Sequence, residues 1–174
     1  MEKPRRIWWP RPRKLCVLER PGGGGRSHRP ARREAELDWL EAHGVRLIVS
    51  TMRTRHNLPE YERRGLEFEH VPVASAAEGT DALEQLLALL RREHRRRGAV
   101  AIHGNRHTDF VAAVGAAHLH ELKGTDPVES LRAARDTGLV VTPEGASLVG
   151  VDYSAVQPRS RIAASTSSGR SVTT

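Results

Sequence analysis

The sequence predicts an α/β fold in which a mostly parallel central sheet is flanked by helices on both faces. Two observations carry this. Short apolar runs rich in β-branched residues alternate with helical patterns, in the order strand, helix, strand, short helix, strand, helix, strand, helix, helix. The chain of 174 residues is also long enough for one domain with a real core and too short for two comfortable ones.

Residues 1–13 carry Pro4, Pro10 and Pro12 among basic side chains, and are read as an extended arm whose Trp8 and Trp9 pack back onto the domain. The domain proper is expected over residues 14–152. It opens with a strand over Lys14–Glu19, where apolar and polar residues alternate. Pro21 and the glycines at 22–25 break that pattern. A glycine run can cradle phosphate when Lys-Ser/Thr follows, but Arg26, Ser27 and His28 follow here, so a flexible surface loop is expected.

Ala31–His43 reads as an amphipathic helix with Leu37 and Leu40 on one face, stopped by Gly44. Val45–Thr51 is a buried strand by composition. Asn57 reads as the cap of a short helix with Pro59 in its first turn, ended by Gly65. Leu66–Val73 alternates as a strand. Asp81–Arg97 is the clearest helix, with Ala82, Leu83, Leu86, Leu87 and Leu90 on one face and an arginine cluster at Arg91–Arg97 that suits the negative end of the helix dipole. Ala99–His103 is a short buried strand, followed by a helix to about Leu122. Asp126, Pro127 and Glu129 start another helix, which Gly138 stops. Residues 153–174 are Ser-, Thr- and Arg-rich without periodicity and are expected to be disordered.

Composition excludes several classes. No apolar run is long enough to span a membrane, and the basic N-terminus leads into no apolar stretch of signal-peptide type, so a cytoplasmic protein is expected. Cys16 is the sole cysteine; an internal disulfide is impossible, and a buried structural thiol is expected. The net charge of +7 raises nucleic-acid binding, through the N-terminal arm and Arg91–Arg97. Against it, the charge is spread along the chain, its arginine bias fits a GC-rich bacterial-type genome, and only 4% of residues are aromatic, a poor supply for base stacking. His103, His107, His118 and His120 cluster in sequence, yet His103 ends a strand and His107 lies in a loop, so helical metal-site spacing does not apply and no metal is expected.

The stretch Leu47–Gly138 resembles the dual-specificity branch of the protein tyrosine phosphatases. Leu47–Ser50 matches the family's strand before a short helix, and Phe68-Glu69-His70-Val71-Pro72-Val73 its next strand. The helix around Leu83–Leu90 and the strand Val100–His103 leading into the catalytic position follow in register. Ala116-Ala117-His118-Leu119 stands where the family reads Ala-Ala-Tyr-Leu. The resemblance implies a phosphatase-like sheet, a loop over 104–110 that surrounds phosphate, a structural hydrogen-bonding role for His103, and no cofactor.

The residues that do the family's chemistry are absent. At the nucleophilic cysteine's position stands Gly104, and the five loop residues are Asn105, Arg106, His107, Thr108 and Asp109. Phe110 takes the place of the phosphate-binding arginine, Val111 that of the assisting Ser/Thr, and Ser75 that of the general-acid aspartate. A glycine cannot form a phosphoenzyme, and a phenyl ring cannot clamp phosphate oxygens. The implied function is therefore a pseudophosphatase that binds a protein partner or phosphorylated ligand through His103–Phe110. An alternative is an enzyme using the same cleft with Arg106, His107 and Asp109. Retained phosphate binding has opposed terms: a helix N-terminus with Arg106 and His107 favours an anion, whereas Asp109 or Thr108 could cap that helix and repel it.

Overall fold

A computed structural model describes residues 1–158. Its five strands are β1 (Ile7–Arg11), β2 (Leu15–Leu18), β3 (Val45–Ser50), β4 (Glu67–His70) and β5 (Ala99–His103). Its helices are α1 (Pro30–Ala42), α2 (Leu58–Arg63), α3 (Thr80–Glu93), α4 (Asp109–Lys123), α5 (Pro127–Asp136), α6 (Pro143–Leu148) and α7 (Tyr153–Val156). The sheet order is β1-β2-β5-β3-β4; β1 runs antiparallel to β2 and every other pair is parallel.

The three central strands are buried on both faces, as a parallel sheet covered by helices requires. Period-two alternation divides their side chains. Leu15, Val17, Leu47, Val49, Val100 and Ile102 join one core with the leucines of α3 and the apolar faces of α4 and α5. Cys16, Leu18, Ile48, Ala99 and Ala101 join the other, beneath Leu37 and Leu40 of α1 and Leu58 and Tyr61 of α2. Cys16 is fully buried, and that burial pushes its thiol pKa far up, so it is held as an unreactive thiol.

Several expectations are corrected. Residues 1–13 are not a separate arm: Ile7 pairs with Leu18 and Trp8 with Val17, which makes β1 the edge strand of the sheet. Alternation explains it, since Trp8 enters one core while Ile7 enters the other, and Pro10 is tolerated because an edge strand leaves one row of N–H groups unused. Trp8 packs so tightly on α4 that a Cβ at Gly115 would lie 2.6 Å from its ring. The helix over Asp81–Arg97 ends earlier, at Glu93, and residues 94–98 turn back into β5. Three of the five arginines at its end are compensated: Arg91 pairs with Glu121, Arg92 with Glu69 and Glu93, and Arg96 with Glu67 and Glu93.

Residues 139–158 add two short helices. Thr142 caps α6, accepting from the Gly145 N–H at 3.1 Å with Pro143 behind it, a start signal legible in the sequence but passed over. Asp152 caps α7, where Val156 is buried, so the expected disordered tail does not begin at 153; the remainder of that expectation, residues 159–174, lies outside the described residues. His118, at the position where the resembling family reads Tyr, is 3% exposed, and neither ring nitrogen meets a partner among the described residues. No helix among them is long and apolar enough to cross a membrane.

Candidate functional site

Because β2, β5 and β3 are parallel, the loops after them gather at one edge of the sheet, the edge where open α/β sheets place their sites. These loops are residues 19–29, 104–108 and 51–57.

Behind the loop after β5 lies a buried polar chain. Arg20 donates through Nε and Nη2 to Asn57 Oδ1, at 3.0 and 2.8 Å. Asn57 Nδ2 donates to the Pro21 carbonyl (3.0 Å) and to the Tyr61 hydroxyl (3.3 Å). The Tyr61 hydroxyl meets His103 Nε2 at 2.9 Å, and His103 Nδ1 meets the Gly104 carbonyl at 3.0 Å. A carbonyl only accepts, so Nδ1 carries the proton and Nε2 accepts from Tyr61. His103 is fully buried, and desolvation pushes its pKa down to about 4, which keeps it neutral in this role. Asn57 adopts a left-handed backbone at φ 72 and its side chain does not cap α2, contrary to expectation. Its three side-chain partners hold it in that conformation.

The glycine run is also corrected. Pro21–Gly24 is buried rather than a flexible surface loop. Gly22 N–H donates to Glu36 at 2.7 Å and Gly25 N–H to Asn105 Oδ1 at 3.1 Å. A Cβ at Gly24 would stand 2.5 Å from the Arg106 backbone nitrogen. Glycine lets these two loops touch backbone to backbone.

On its outer side, the loop borders a cavity of ≈ 210 Å³ lined by residues of the loops after β3, β4 and β5, among them Arg53, Ser75, Gly104, Asn105, His107 and Phe110. That is below the roughly 300–1,000 Å³ of ordinary ligand pockets. At Gly104, the His107 carbonyl oxygen lies 2.6 Å from where a Cβ would be. Phe110 is 3% exposed and packs its ring on Gly79, leaving no room for a Cβ there. Val111 is fully buried in α4. Ser75 Oγ has only Glu78 within reach, at 3.5 Å.

Asp109 bends back on its own helix: Oδ1 accepts from the Phe110 N–H at 3.0 Å and Oδ2 from Thr142 at 2.8 Å. Thr108 does not cap α4; its hydroxyl accepts from the Val140 N–H at 2.8 Å. Arg106 turns away from the cavity and packs on Gly24 and Gly25. Arg106, His107 and Asp109 therefore do not converge on one point. Among the described residues, no group of three His, Cys, Asp or Glu side chains is placed to hold a metal.

Sequence reasoning missed Arg20, Asn57, Tyr61 and Thr142. The available signal was topological: parallel strands after which an arginine and an asparagine follow at adjacent carboxyl ends.

No family model and no curated protein matches the chain. Solved structures do. The human phosphatase DUSP28 aligns with a TM-score of 0.60 at 20% identity over 85% of this chain and 94% of its own. Tk-PTP in its active form gives 0.58 at 23% identity over 78% and 88%. A Cys-to-Ser variant of P. aeruginosa TpbA, in complex with pTyr, gives 0.62 at 16% identity over 82% and 83%. The fold is that of the protein tyrosine and dual-specificity phosphatases.

Proposed function

We propose that this chain is a catalytically inactive phosphatase-like domain that binds a protein partner or a phosphorylated ligand through the loop 103–110. The observation that carries this reading is the surrounding of Gly104. Cysteine chemistry in this fold needs a thiolate at that position, stabilised by N–H groups that point inward. Here the residue has no side chain, and the His107 carbonyl stands 2.6 Å from the position of the missing Cβ. Phe110 adds to the argument, because at the position the resemblance assigns to the phosphate-binding arginine it offers a buried apolar ring. One such electrostatic donor alone is worth about 10²–10³ in rate. Asp109, bonded to its own helix and to Thr142, offers no free carboxylate for acid catalysis.

Hydrolysis of p-nitrophenyl phosphate by the purified full chain tests the reading. No turnover above buffer is expected. Turnover that disappears with His107→Ala or Asp109→Ala would replace the proposal with an enzyme of non-cysteine chemistry.

A further inference from the structure

A second concavity, of ≈ 570 Å³, adjoins the first, and Thr54 borders both. Its walls carry Arg20, Arg33 and Arg55 with the imidazoles of His28 and His56, against a single carboxylate, Glu60. Glu60 is already engaged by Arg33 at 3.4 Å and Arg63 at 2.8 Å. Arg33 also pairs with Glu34 at 3.1 Å, which leaves Arg20 and Arg55 as the pocket's arginines without an acid among the described residues.

Arg20 is the decisive residue. It is 7% exposed, yet among the described residues no carboxylate lies within ion-pair distance of it. Its side-chain hydrogen bonds go through Nε and Nη2 to a neutral amide, and Nη1 has no acceptor among the described residues in a side chain that lines the pocket. A buried guanidinium ordinarily has an anionic partner, because desolvating an unpaired charge is costly. The surrounding structure nevertheless holds it rigidly, with Asn57 kept in a left-handed conformation to receive both of its other nitrogens. A guanidinium fixed by two hydrogen bonds, lining an open pocket and lacking a carboxylate partner among the described residues, marks a site for a ligand that supplies negative charge. Arg55 and His56 are exposed on the rim, able to close over it.

We propose that this pocket binds a phosphate dianion, free or as a monoester, with Arg20 at its base and Arg33, Arg55, His28 and His56 around it. A planar guanidinium with a free edge suits tetrahedral oxyanions. The site is separate from the loop 104–110 and does not depend on that loop's being inactive.

Titration calorimetry on the full chain with inorganic phosphate, then with phenyl phosphate, tests it at pH 7. Saturable binding of one equivalent is expected, weakened about tenfold by Arg55→Ala and severalfold by His56→Ala, both exposed positions whose loss leaves the fold intact. Arg106→Ala, in the other loop, should leave it unchanged. Competition between the two ligands identifies the source: displacement of inorganic phosphate by phenyl phosphate shows that the site admits a monoester, and its failure confines the site to the free anion. Absence of binding by both ligands overturns the proposal. So does binding that survives Arg55→Ala with His56→Ala, or that falls with Arg106→Ala.

Discussion

The two sides of the loop after β5 follow opposite rules. On the inner side, His103, Tyr61, Asn57 and Arg20 form a buried chain in which His103, Tyr61 and Asn57 are each bonded at both ends. On the outer side, the positions that would do chemistry hold a glycine facing a carbonyl, a phenyl ring in the core and a carboxylate turned on its own helix. On the proposed reading, the phosphatase fold keeps its scaffold without its chemistry. What positions a loop and what makes it reactive are physically separable.

The largest effect expected from breaking this comparison comes from rebuilding the outer side. Gly104→Cys must displace the His107 carbonyl, and Phe110→Arg replaces a ring of the core with a guanidinium. The double variant is expected to lose about 3–5 kcal/mol of stability, the range for an uncompensated buried charge, and to gain no turnover of an aryl phosphate. Urea unfolding together with a phosphatase assay checks both. A stable, active double variant would show that the loop already holds a phosphate-ready shape.

The inner side predicts a smaller, more specific loss. Tyr61→Phe keeps the buried ring but leaves His103 Nε2 without its donor, at a cost of about 1–3 kcal/mol. His107→Ala, on the exposed outer side, should stay within about 0.5 kcal/mol of wild type. Equal losses from the two substitutions would contradict the division between the sides.

Much of this was legible in the sequence, and for identifiable reasons. The α3 leucines and the run Ala99–His103 were readable because periodicity reports burial directly. The order of strands and helices implied the layered sheet, and a local match of residues located the loop at Gly104–Asp109. Other features depend on contacts between residues far apart in the chain. Nothing near Arg20 announces that Asn57, 37 positions on, will receive it. The glycines at 22–25 looked like a mobile loop because composition alone does not reveal that Arg106 packs against them. Trp8 and Trp9 resembled an arm because Pro10 and Pro12 weaken a strand pattern, whereas pairing with β2 rescues it at an edge.

Acid should act on the buried histidines of both sides of the sheet. Burial drives His103 and His118 each down to about 4, while imidazole in an unfolded chain titrates near 6.5. Between those values the unfolded chain binds protons that the folded chain refuses. The contribution of these two imidazoles is therefore full above about pH 6.5 and falls as pH drops toward 4, with a slope of up to two protons to which His28, also lowered, adds; the depressed carboxyls of Glu34, Asp38, Glu93 and Asp152 extend the loss at lower pH. Urea unfolding at pH 7, 6 and 5 measures the slope. A flat profile would mean that neither imidazole is held neutral.

The smallest effect separates the two histidines. His103 is bonded through both nitrogens, so its neutrality serves a structure. His118 is buried against the opposite side of the sheet with neither nitrogen partnered, so its neutrality serves nothing visible and its polar atoms only cost desolvation. His118→Leu should therefore raise stability at pH 7 by about 1 kcal/mol, since removing an unsatisfied buried polar group in favour of an apolar one of similar size is neutral or stabilising. It should also halve the two imidazoles' share of the proton slope between pH 6.5 and 4, whereas Tyr61→Phe leaves the His118 contribution in place. A loss of stability in His118→Leu would show instead that the ring holds a bridging water in the small cavity it shares with Arg11, Lys14 and His94. In that event His118, like His103, would belong to a satisfied network.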